Sequence, residues 1–138
     1  IHEARSVGAD CILLIIAILD PNQYADLFAI STSMGMDVLV EVFDEPELDI
    51  AMKIEPPIVG VNNRNLKTLN TSLSVFEQLV KKIPSDRIKV AESGMKNSTD
   101  VKRMGRAGAK AVLVGESLMR AGGNVSNLVR EMAEIQVS

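Results

Sequence analysis

A chain of 138 residues, 46% hydrophobic and 24% charged, is long enough to bury one core and too short for two domains. Its formal net charge of -3 leaves no basic excess to neutralise a phosphodiester backbone, so no nucleic-acid partner is expected. The apolar run from Cys11 to Leu19 is about half of membrane-spanning length. No basic leader opens the chain, and one cysteine makes neither an internal disulfide nor a metal-ligand spacing. No membrane association, no metal and a cytoplasmic setting are therefore expected.

In chain order, Ile1 to Val7 reads as the tail of a helix whose strand is missing. The expected domain is therefore a single partial unit spanning 1–138. Gly8 closes that helix and CILLII follows as a strand; Gly35 precedes VLVEVF and Gly108 precedes AVLVG in the same way. Glycine suits a helix end because its left-handed conformation carries no Cβ penalty, and an apolar run after it reads as a parallel strand covered on both faces. Ile58 to Asn62 and Ile88 to Glu92 supply two more strands, for five in all.

Between the strands, Leu73, Phe76, Leu79, Val80 and Ile83 recur on one helical face. Asp20 before Pro21 with Gln23, and Asp44 with Glu47, approach the capping box that satisfies free amides at a helix start. This βα alternation makes a parallel sheet. Either a doubly wound open sheet or part of a (βα)8 barrel, which takes about 250 residues, accommodates it.

In both architectures ligands lie at the carboxyl ends of the strands, so polar residues there carry the chemistry. In VLVEVF, strand alternation puts Val38, Val40 and Val42 on one face and Glu41 on the other. A carboxylate inside a strand costs several kcal/mol unless it is paired or opens onto a cavity, and desolvation suits such a group to taking a proton near neutrality. Glu41 is a general-base candidate, with a structural ion pair or an edge strand as the competing reading. Asn62 and Arg64 follow the next strand, and Arg matches phosphate or carboxylate oxygens; Asn63 and Asn65 read as turn residues. Glu92, Ser93 and Gly94 end the fourth strand, and Gly115, Glu116 and Ser117 follow the fifth. Glycines after consecutive strands with a helix start beside them make an anion cradle. Glu92 and Ser93, as neighbours, should point to opposite faces of a regular strand.

Other residues read as structural. His2 belongs on the surface, Cys11 reads as a small buried residue, Met34, Met104 and Met119 fit core packing, and Lys81-Lys82 forms a solvated helix end.

Taken in order, EARSVGADCILLI, MDVLVEVFDEPEL, VGVNNRNLKTL, KVAESGMK and AVLVGESLMRA resemble the indole-3-glycerol phosphate synthase family over nearly the whole chain. The resemblance implies a TIM (βα)8 barrel, here its last five strands with their crossover helices. It implies ring closure of 1-(2-carboxyphenylamino)-1-deoxyribulose 5-phosphate with loss of carbon dioxide and water, a carbon-carbon lyase reaction of tryptophan biosynthesis without metal or organic cofactor. By the same resemblance Glu41 is the general base, Asn62 positions polar groups of the substrate, and Glu92 and Ser93 stand near the reacting centre. Arg64, Gly94, Gly115 and the backbone of Glu116 hold the phosphate, and Leu66 lines the apolar pocket for the anthranilate ring.

The family's lysine general acid lies on the third strand of the barrel, and a further Lys and Glu on the first, all before Ile1 in the family's order. Base without acid leaves little turnover, so the isolated 138 residues are expected to be inactive. Open edges on a partial barrel are expected to invite self-association. A flavodoxin-like binding or signalling domain suits the length, but the acidic cluster or glycine-rich nucleotide loop it would carry after the first strand is absent. Another phosphate-binding barrel enzyme, such as a phosphoribosylanthranilate isomerase or a tryptophan synthase α subunit, is disfavoured by VEVFDE and NNRNL.

Overall fold

Strand and helix alternate through the computed structural model, which describes residues 1–135. A short helix α1 (His2–Ser6) leads into β1 (Cys11–Ile15); then come α2 (Pro21–Ser33), β2 (Asp37–Val42), α3 (Glu45–Ala51) and β3 (Ile58–Asn62). The second half runs α4 (Ser74–Leu79), β4 (Ile88–Glu92), α5 (Ser98–Ala107), β5 (Ala111–Leu113), α6 (Glu116–Arg120) and α7 (Val125–Ala133). All neighbouring strands pair parallel, in the order β1-β2-β3-β4-β5. A doubly wound sheet must reverse its strand order somewhere. No reversal occurs here, so the sheet advances one strand per crossover as the wall of a (βα)8 barrel does.

Local chemistry sets the element boundaries. Asp20 accepts hydrogen bonds from the Asn22 and Gln23 amides at 2.9 and 3.0 Å, and the Gln23 side chain accepts from the Asp20 amide, completing the capping box of α2. At α3, Asp44 accepts from the Glu47 amide, but Glu47 reaches one residue further back, to the Phe43 amide at 2.8 Å. Gly8, Gly35 and Gly108 all take positive φ just before β1, β2 and β5, as the helix endings require. The helix expected through Ile83 is α at Ser74–Leu79 and tightens to a 3-10 turn at Val80–Lys82.

One sheet face is the core. Val38, Val40, Val42, Val59, Val61 and Ala91 pack there under Tyr24, Phe76, Leu79 and Met104 of the helices. Buried Tyr24 donates its hydroxyl to the Ala51 carbonyl at 3.1 Å, tying α2 to α3, and burial pushes its phenol up to about 12.

The opposite face carries Leu13, Leu39, Ile58, Ile88 and Leu113, and Leu13, Ile88 and Leu113 are exposed. The expectation that the glycine-led strands are covered on both faces is thus corrected: helices cover one face only. Cys11 is exposed rather than buried, because it opens β1 on that uncovered face. Met104 is fully buried and Met34 partly so, but Met119 is 86% exposed on α6 and belongs to no core.

Candidate active site

Polar side chains converge where β2, β3 and β4 end. Glu41 points away from the valine core, as strand alternation requires, and is only 6% exposed. Asn62 sits on the adjacent strand and donates Nδ2–H to Glu41 Oε1 at 2.9 Å, while its Oδ1 accepts the Arg64 amide at 3.0 Å. One amide side chain therefore orients the buried carboxylate and also fixes the start of the loop that carries the arginine.

Glu92 pairs in register with Asn62 and is 2% exposed. Burial foremost, then the negative charge of Glu41 and a hydrogen bond shared with it, push Glu92 up to about 8. A like charge beside a buried carboxyl disfavours ionising it, which is the direction seen at Glu92. A third, Glu47, lies near Glu41 and is also raised, mainly by burial. Glu92 Oε1 is buried without a hydrogen-bond partner among the described residues.

The parity conflict between Glu92 and Ser93 is resolved by the backbone. Regular strand ends at Glu92, and Ser93 turns to φ +61° with Gly94 at +81°. Left-handed backbone at a non-glycine residue is costly and persists only where the surroundings enforce it. Asn63 enforces it: wholly buried, it donates Nδ2–H to the Ser93 carbonyl at 3.2 Å and accepts the Phe76 amide on Oδ1 at 3.1 Å. Its own amide donates to the Glu92 carbonyl at 2.8 Å. By residue type Asn63 reads as a turn residue; the signal for more is its place one step after a buried strand, where a free amide side chain needs partners.

Beside this group opens a cleft of about 1020 Å³ whose walls include Arg64, Ser93, Gly94, Gly115 and Glu116, with apolar surface from Leu69, Leu113 and Leu128. Arg64 is ion-paired with Glu116, which also binds Arg120 Nε at 2.9 Å. The hydrogen bond from Arg64, ahead of that from Arg120, holds the Glu116 carboxyl below the usual carboxylate range. Ser117 donates its hydroxyl to the Met95 carbonyl at 2.6 Å, joining the start of α6 to the loop after β4. Leu66 is 43% exposed on the β3–α4 loop and is not part of the cleft wall, where Leu69 stands instead. Among the described residues, no three His, Cys, Asp or Glu side chains cluster to hold a metal ion.

Comparison with solved structures places the fold. The chain superposes on 3-hexulose-6-phosphate synthase from Salmonella typhimurium with a TM-score of 0.77 at 14% identity, over 94% of this chain and 63% of that one. It superposes on a mandelate oxidase with benzoyl-formic acid at a TM-score of 0.71 and 17% identity, over 96% of this chain and 50% of that one. At the sequence level it is 53% identical over 121 residues to the indole-3-glycerol phosphate synthase of Albidiferax ferrireducens and 50% identical to that of Polaromonas naphthalenivorans. Both alignments cover 88% of this chain and 46% of the relative, so the chain spans about half the length of the curated relatives it matches. The family model for indole-3-glycerol phosphate synthase matches residues 1–132. With that match and the partial barrel, the chain belongs to the indole-3-glycerol phosphate synthase family.

Proposed function

We propose that these residues form the base side and the phosphate end of an indole-3-glycerol phosphate synthase active site, acting on 1-(2-carboxyphenylamino)-1-deoxyribulose 5-phosphate. The observation that carries this reading is the buried Glu41 and Glu92 pair, bridged by Asn62 to a cleft lined by Arg64. Ring closure with loss of carbon dioxide and water needs one group to take a proton and another to give one. Glu41, oriented by Asn62, takes the proton; Glu92, neutral near pH 7, and Ser93 stand beside the reacting centre. Arg64, with backbone at Gly94, Gly115 and Glu116, holds the phosphate in the cleft, and Leu66 lines the anthranilate pocket from the β3–α4 loop, apart from that cleft. No metal or organic cofactor is invoked.

The lysine acid of the family pattern has no counterpart among these strands, so turnover by these 138 residues requires it from outside them. No helix among the described residues is long and apolar enough to cross a membrane. A cytoplasmic setting and self-association through the sheet edges complete the proposal.

Indole-3-glycerol phosphate fluorescence tests it, with the 138-residue chain alone and mixed with the N-terminal half of the Albidiferax ferrireducens enzyme. Turnover is expected only in the mixture and should vanish with Glu41→Gln. Turnover by the chain alone would overturn the account of the acid, and an associated but inactive mixture would overturn the substrate assignment.

A further inference from the structure

Glu41 and Glu92 sit on strands that do not touch, since β3 runs between β2 and β4. For their carboxyls to meet, one must cross β3. The crossing point is visible in the register: Gly60 pairs with Glu41 on one side and with Val90 on the other, two residues before the Asn62–Glu92 pair. A Cβ built on Gly60 would lie 1.7 Å from Glu92 Oε1 and 2.9 Å from its Cδ, with Leu39 Cδ1 at 3.1 Å. The first two distances are far inside van der Waals contact. Gly60 is not among the residues of positive φ, so the strand backbone would accept any L-residue. What glycine supplies here is space, which is one recognised reason for a glycine inside a strand.

We propose that Gly60 is a positioning residue of this site: its absent side chain is the passage through which the Glu92 carboxyl crosses β3 to meet Glu41. Any side chain at 60 would push the carboxyl off β3 toward solvent, away from Glu41. The inference rests on the reading of Glu41 and Glu92 as the proton-handling pair, but its geometry is independent of the substrate. The charged groups around Glu92 are Glu41 across β3 and, beyond Glu41, Glu47 at the start of α3.

The test is a carboxyl 13C NMR titration of Glu92 in the chain as it stands, in Gly60→Ala and in Gly60→Ala/Glu92→Ala. Turning the carboxyl outward removes both its burial and its contact with Glu41, so in Gly60→Ala the Glu92 midpoint should fall by about one pH unit or more, the size that marks a coupled pair. A Glu92 midpoint in the ordinary carboxylate range before substitution, or one that Gly60→Ala leaves in place, overturns the proposal. If Gly60→Ala does not fold, the double variant decides, because without the Glu92 carboxyl an alanine at 60 should fit. A folded double variant upholds the passage; an unfolded one means that position 60 is closed by something else, and overturns it. None of these readouts uses substrate, so a failed synthase assay leaves them standing.

Discussion

Glu92 carries an unusual cost, because its buried carboxyl titrates at about 8 against an ordinary value of 4.5. The sign follows from linkage: the folded pKa lies above the unfolded one, so its contribution to stability is complete below about pH 4.5 and is lost as pH rises through 8. The chain should therefore be more stable at pH 5.5 than at pH 8.5 by up to a few kcal/mol, since each pH unit between the folded and unfolded midpoints is worth roughly 1.4 kcal/mol. Urea midpoints at the two values check this, and Glu92→Gln should remove most of the difference; an equal slope in the variant would place the pH dependence elsewhere. Asn63 carries a different load. Its side chain holds both the Phe76 amide and the left-handed Ser93, so Asn63→Ala leaves a buried donor unpaired and releases the strained turn. About 2 to 4 kcal/mol of destabilisation is expected, and chemical denaturation would measure it. In the sequence Glu41 is legible with its face, since a lone carboxylate among alternating valines announces it, and Glu92 is legible as a polar strand end. Glu92 reaching across a strand, and Asn63 clamping the next turn, depend on register between strands distant in sequence, which local pattern does not contain.

At the scale of elements, boundaries are the most legible feature because they are written in short-range chemistry. Asp20 and Gln23 cap α2 as their spacing implies; Asp20→Ala should cost about 1 kcal/mol, typical of a lost N-cap, visible as a lowered thermal midpoint. Local pattern does not say which face of each element meets a neighbour. Cys11 and Met119 are apolar by type, and only the assembled sheet reveals that the face of β1 holding Cys11 lies uncovered and that Met119 projects from α6. The junction of the β3–α4 loop with α6 is only half legible. Motif resemblance puts both Arg64 and Glu116 at the phosphate, but their side chains bind each other across the cleft. Glu116 thus competes for the guanidinium with any entering anion. Glu116→Gln should raise affinity for inorganic phosphate by up to roughly fivefold, the worth of an exposed pair, measured by 31P NMR. Glu45→Gln, whose partner is Lys82 far along the chain, is the control and should change nothing.

For the whole molecule, strand and helix alternation is compatible with two architectures, and their difference lies in whether successive crossovers keep advancing the sheet or reverse it. That choice is made by packing between units, so periodicity alone does not decide it; the motif resemblance does, and the unreversed order β1 to β5 agrees with it. The same order has a physical consequence. β1 pairs only with β2 and β5 only with β4 among the described residues, while Leu13, Ile88 and Leu113 stand exposed on the uncovered face. Unpaired strand edges next to exposed apolar side chains favour pairing with another chain. The isolated 138 residues should therefore sediment above their 14.9 kDa monomer mass, increasingly so with concentration. Supplying the N-terminal half of a relative should replace that self-association by a one-to-one complex, because the supplied strands would occupy the same edges and cover the same face. Sedimentation velocity on the chain alone and on the mixture separates the cases. A monomer at every concentration would mean that the edges are already protected by their own twist and short length, and that assembly with a second half needs contacts beyond the sheet.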